Sequence, residues 1–131
     1  MIDVEADVFN YVYPAVSALV PTGCFTSMYV PNPSKFPFAT LMEMDNTTDA
    51  RHRSSSDTEE YAVLTYEANV YAMDKATCRN VMNALDTSMT TLGFTRLSMS
   101  FIPNLADSTV FRITARYRAE ADTRKVIYRH T

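Results

Sequence analysis

Glycine is nearly absent from this chain of 131 residues, which holds only Gly23 and Gly93. Loops that cradle phosphate need glycines at fixed spacing so that backbone can approach the ligand, and none can be written here. Nucleotide cofactors are therefore not expected. Histidine is as scarce: His52 sits in a charged stretch and His130 is the penultimate residue, and neither place holds a base rigidly beside a nucleophile. Ser54-Ser55-Ser56 lacks the strand-turn-helix setting of a nucleophilic serine and reads as a flexible linker. The two cysteines, Cys24 and Cys78, lie far apart and match neither a disulfide framework nor a paired metal-ligand spacing. They fit a reducing compartment, so a cytosolic setting is expected. Glu59 and Glu60 are neighbours that point to opposite faces of a strand, which makes a poor metal pair. The expectation is no enzyme, no cofactor and no metal.

A long apolar run is also missing. Val12 to Pro21 is the longest nearly apolar stretch, well short of the roughly 20 residues that span a bilayer, and Pro14 interrupts it. The opening residues carry Asp3, Glu5 and Asp7, the opposite of the basic start of a secretory signal. Neither a membrane partner nor export is expected, so the sequon Asn46-Thr47-Thr48 has no consequence. What remains suits one domain over residues 1–131, large enough to bury roughly two-thirds of its surface without staples. Net charge is only -3, but residues 1–60 hold nine acids against three bases and residues 61–131 six acids against nine bases. Oppositely charged halves allow head-to-tail attraction between copies, or attraction within one subunit.

The chain divides readily into elements. Val4, Val8, Val12 and Val16 recur every fourth residue and predict a first helix from about Val4 to Leu19, with Asp3 as its cap and a kink or early end at Pro14. Pro31-Asn32-Pro33 marks a connection, with a short edge strand before it at Phe25 to Val30. Phe36 to Asp45 alternates and is apolar on both faces in its first half, so it belongs inside a sheet covered on both sides. Asn46 to Thr58 has no large apolar residue and reads as a mobile loop, a contact candidate through Asp49, Arg51, His52 and Arg53. Glu59 to Ala72 alternates again as a long strand.

Asp74 to Gly93 is the clearest helix, capped by Asp74, striped by Cys78, Val81, Met82, Leu85, Met89 and Leu92, and stopped by Gly93. Phe94 to Phe101 and Thr109 to Ala121 follow as two strands, and Val126 to Tyr128 can add a short last one. The plan is α+β, a mainly antiparallel sheet packed with two helices in the order α-β-β-β-α-β-β.

Phe111, Ile113, Ala115 and Tyr117 are expected to face the core, with Arg112, Arg116 and Arg118 on the other side of the same strand. Because Tyr117 points away from the arginines, the interleaving of a single-strand nucleic-acid binder is missing. Pairing with acids such as Glu67, or with those of another subunit, is the preferred role of the arginines. Met42, Met44, Met82 and Met89 read as core filling. Tyr61 and Tyr71 share a strand face with Val63 that either a partner or the first helix would cover.

Residues Phe36-Pro37-Phe38-Ala39-Thr40-Leu41-Met42-Glu43 and Thr65-Tyr66-Glu67-Ala68-Asn69-Val70-Tyr71 resemble those of small tail proteins of long-tailed, siphovirus-type bacteriophages. Leu92-Gly93-Phe94-Thr95-Arg96, Ile102-Pro103-Asn104-Leu105, Thr109-Val110-Phe111-Arg112 and Ile127-Tyr128-Arg129 look like the same tail-completion, or tail-terminator, family. The resemblance spans most of the chain and rests on packing and turn residues. It implies a structural virion protein, assembled in the host bacterial cytoplasm and resident in the tail or neck. Such a protein forms a hexameric ring with itself, caps the tail tube protein, ends tail polymerisation and offers a surface to the head-tail connector protein. DNA passes through such a ring without sequence-specific contact. Subunit pairing would then use the acidic N-terminal half with Arg112, Arg116 or Arg118, and partner contact would use residues 46–58. Head-tail connectors, whether stopper or adaptor, and other neck proteins share this logic, while a small regulatory binding module is the remote alternative.

Overall fold

Valine at every fourth position lays one apolar stripe along α1 (Glu5–Ser17), and Val4, Val8, Val12 and Val16 are all buried. The computed structural model describes residues 1–30, 33–48, 61–103 and 109–129. The early end expected at Pro14 does not occur, since α1 runs through to Ser17. Pro14 and Asn10 both lie on the exposed side, where water can satisfy the carbonyl that proline leaves without a donor. Nor is Asp3 the cap. Val4 holds that position, and Asp3 only accepts a 3.3 Å hydrogen bond from the Glu5 N–H.

The second helix, α2 (Lys75–Leu92), follows its sequence signals closely. Asp74 Oδ1 accepts from the Thr77 N–H at 2.7 Å and Oδ2 from the Thr77 hydroxyl at 2.8 Å. Cys78, Val81, Met82, Leu85 and Met89 are buried. Gly93 ends the helix at φ 112°, donating to the carbonyls of Met89 and Thr90. Two reasons require glycine there: the left-handed backbone, and an added Cβ only 3.1 Å from the Ile127 carbonyl oxygen.

The strands are β1 (Phe25–Thr26), β2 (Phe38–Thr48), β3 (Tyr61–Ala72), β4 (Thr95–Ile102), β5 (Phe111–Asp122) and β6 (Ile127–Arg129). They join in one sheet of order β1-β2-β3-β5-β4, with β6 also on β5. All neighbours are antiparallel except β1 and β2, because the proline-rich connection returns the chain to the end where β1 began. This is the expected α+β plan, although the first edge strand is only two residues long. Both long outer strands carry an irregularity, at Glu43/Asp45 in β2 and at Arg96/Ser98 in β4.

Both helices lie on one face of the sheet. Leu64, Tyr66, Ala68 and Val70 of β3 and Ile113, Ala115, Tyr117 and Ala119 of β5 turn toward them and are buried. Register places Tyr66 beside Tyr117, with Ala68 beside Ala115 on one side and Leu64 beside Ala119 on the other. The Tyr66 hydroxyl donates to Glu43 Oε1 at 3.1 Å and the Tyr117 hydroxyl to Asp86 Oδ1 at 2.8 Å. Phe94 packs edge-on against Tyr66 at 5.2 Å.

Several expectations about faces need correction. Phe111, the first residue of β5, is 40% exposed and lies outside the buried core. Met44 is 52% exposed: the β2 bulge turns it out of the alternation and brings Asn46 onto the helix side. There Asn46 Nδ2 donates to the Ile2 carbonyl at 2.8 Å, so Asn46 to Thr48 extend β2 and are not part of a loop. The rest of the expected loop, 49–58, lies outside the described residues. Helix α1 does not cover Tyr61 and Tyr71. Tyr71 is instead buried in a second cluster with Cys24, Phe38 and Val110, joined by Val20, Val30 and Phe36. The first half of β2 is accordingly covered on both sides, by the helices over Ala39 and Leu41 and by this cluster over Phe38.

Two substitutions test this packing. Leu85→Ala should cost about 2–5 kcal/mol in equilibrium unfolding, the range for a buried leucine that leaves a cavity. The Asp74 carboxyl is held below its ordinary range by the Thr77 N–H and hydroxyl. Its capping contribution is thus complete above the unfolded-state pKa and is lost as pH falls through the lower folded value. Asp74→Asn, which still caps, should keep neutral-pH stability and lessen the acid dependence of the unfolding midpoint.

Candidate interaction surface

The alternation that buries Tyr117 sends Arg112, Thr114, Arg116 and Arg118 to the face away from the helices. The same rule in β3 sends Tyr61, Val63, Thr65, Glu67, Asn69 and Tyr71 there. Register sets Arg112 beside Tyr71, Thr114 beside Asn69, Arg116 beside Glu67 and Arg118 beside Thr65. Polar groups thereby face each other across the two central strands.

Asn69 is the hub of this face and is fully buried. Its Oδ1 accepts from Arg112 Nε at 3.0 Å, Arg112 Nη2 at 2.8 Å and Thr114 Oγ1 at 2.7 Å. Its Nδ2 donates to Glu67 Oε1 at 3.1 Å, and Glu67 Oε2 meets Arg116 Nη2 at 3.1 Å. The Arg112 guanidinium also lies over the Tyr71 ring at 5.5 Å. Burial pushes the Tyr71 phenol above its ordinary pKa, with Arg112 opposing the shift.

The pairing of Arg116 with Glu67 is the one anticipated from sequence. Its partners differ in exposure, 57% for Arg116 and 13% for Glu67, so it contributes little stability of its own. Sequence reasoning missed Asn69. The available signal was an amide inside the otherwise apolar run Ala68-Asn69-Val70, where a buried polar group must find partners. Arg118 is different. Among the described residues its buried Nε has no hydrogen-bond partner, and the same holds for Thr40 Oγ1 beside Asn69.

The remaining sequence candidates do not gather here. Tyr61 shares the face with Tyr71 but sits at the other end of a strand of 12 residues, so the two form no common patch. Tyr71 is 2% exposed and covered by its own chain. Asp49, Arg51, His52 and Arg53 lie outside the described residues. Cys78 donates to the Val70 carbonyl at 3.2 Å, and burial pushes its thiol up to about 11, which keeps it neutral at pH 7 and a poor nucleophile. A hollow of about 190 Å³ between Tyr13, Ser17, Val20 and Phe25 presents only Tyr13 as a titratable group. Among the described residues no three His, Cys, Asp or Glu side chains converge as metal ligands, and no helix is long and apolar enough to cross a membrane.

No family model and no curated protein matches the sequence. Among solved structures, the fold matches a chain of a particle described as the virion of native gene transfer agent (GTA) particle. The match has a TM-score of 0.59 over 85% of this chain and 91% of that one, at 18% identity. At that identity the likeness is one of fold.

Asn69→Ala should destabilise the protein by about 1–3 kcal/mol, because the substitution leaves Arg112 and Thr114 without their shared acceptor. Arg116→Ala should cost no more than about 1 kcal/mol. Urea unfolding of both variants would separate a buried hub from a surface pair.

Proposed function

We propose that this protein is a structural component of a phage-like virion, and within it a tail terminator. In this reading it forms a ring on the finished tail tube, stops tube polymerisation and presents the surface that receives the head connector. It acts by shape and transforms no substrate. The observation that carries the reading is the fold shared, over nearly the whole length of both chains, with a chain of a gene transfer agent virion. The tail-terminator resemblance of the β2, β3 and β5 sequences narrows it within that class.

One feature of the molecule supports an assembly role. The outer strands are interrupted, which favours association through side chains over extension of the sheet.

Deletion of the gene should yield tails of uncontrolled length, seen by negative-stain microscopy of lysates, with joining to heads lost. Tails of normal length accompanied by unattached heads would instead identify a head-tail connector of the neck.

A further inference from the structure

The sheet order puts β2 and β4 on opposite flanks, with α1 packed over β1 and β2 and α2 over β3, β5 and β4. Among the described residues, these flanks carry charge of opposite sign with few ion-pair partners. On the α1/β2 flank, Asp3, Glu5 and Glu43 come together, and the bulge exposes Met44 next to Glu43. The Glu43 carboxyl is held above its ordinary range, first by burial and then by the negative charges of Glu5 and Asp3. Among the described residues, the ion pair on this side is the long one of 3.9 Å between Lys125 and the neighbouring Asp7.

On the opposite flank, two exposed cations of the first turns of α2 flank one aromatic ring of β4. Lys75 Nζ lies 4.8 Å and the Arg79 guanidinium carbon 5.2 Å from the centre of the Phe101 ring. Neither cation has a carboxylate partner among the described residues. Both sit near the positive end of the helix dipole, which raises the local potential further. Asp74, the one acid beside them in sequence, is engaged with Thr77. A hollow of about 100 Å³ opens between Arg79, Met99, Ser100, Phe101 and Ile113.

We infer that a second copy of this chain is the occupant of the Lys75–Arg79–Phe101 flank, which receives the acidic α1/β2 flank around Met44 of its neighbour. Each surface concentrates like charge that the other neutralises, and each has an apolar centre inside a charged rim, as protein interfaces do. The surfaces differ and lie on opposite sides of the subunit, so the contact repeats head to tail and closes into a ring when the rotation allows. The inference rests on the ring proposed above but moves the basic half of the contact from the β5 arginines to α2.

Charge reversal tests it in the full chain, with sedimentation velocity at low salt reading the mass and circular dichroism confirming the fold. Lys75→Glu with Arg79→Glu, and separately Asp3→Lys with Glu5→Lys, should each weaken self-association at least tenfold. The chain carrying all four substitutions should regain it, because its flanks are again complementary. Wild-type rings that both reversed variants form undiminished would overturn this contact while leaving the ring standing. A wild-type chain that stays solitary at every concentration, alone and with purified tail tube, would overturn the ring and this contact together. Loss of assembly in all three variants would also overturn the pairing.

Discussion

Two tyrosines buried side by side at the centre of the sheet impose the condition that most of the fold obeys. Tyr66 and Tyr117 are paired across β3 and β5, and neither ring reaches solvent. A buried phenol left without a partner would cost about 1–3 kcal/mol, so each hydroxyl needs an acceptor. Glu43 of β2 serves one and Asp86 of α2 the other. The central ladder is thereby tied to a neighbouring strand on one side and to a helix on the other. Both phenols are held far above their ordinary pKa, by burial first and then by the acid each one meets. Asp86 also receives Arg96 of β4 at 3.2 Å, which links α2 to the far edge strand.

The opposite face fixes the same register independently. A slip of one residue between β3 and β5 would turn one strand over and carry Tyr66 or Tyr117 out of the core, and it would equally separate Asn69 from Arg112 and Thr114. Hydrophobic alternation and a polar hub thus agree on one alignment. This gives Arg112 and Arg116 of β5 a role that involves no partner.

The sequence was most legible where periodicity and punctuation coincided. In α2, Asp74, the stripe from Cys78 to Met89 and Gly93 state the start, the buried side and the stop, and all three hold. The valine stripe of α1 was equally plain, and the alternation of β5 separated Tyr117 from the arginines correctly. Less legible was everything that depends on what lies above a face. Alternation says that Tyr71 and Tyr61 point the same way, but only the path of residues 20–30 and 33–37 decides that Tyr71 is covered. The bulge that exposes Met44 leaves no mark in the residue types around it. Asn69 and Phe111 show the same limit: their faces were readable, while their surroundings depend on strands distant in sequence. In the candidate site, the Glu67–Arg116 pair was legible from charge on adjacent strands, whereas the Lys75–Phe101–Arg79 arrangement requires knowing that β4 returns beneath α2.

The paired bulges of β2 and β4 have a bearing on how far copies of this chain can pile up. An uninterrupted outer strand is a template on which any further strand can be laid without end, whereas a strand whose hydrogen-bonding rhythm is broken midway offers no such continuous track. Growth by backbone zippering is therefore blocked at both margins of the molecule. Copies are left to recognise one another by the shape and charge of particular side chains, a kind of adhesion that saturates once those side chains are matched and that can be undone.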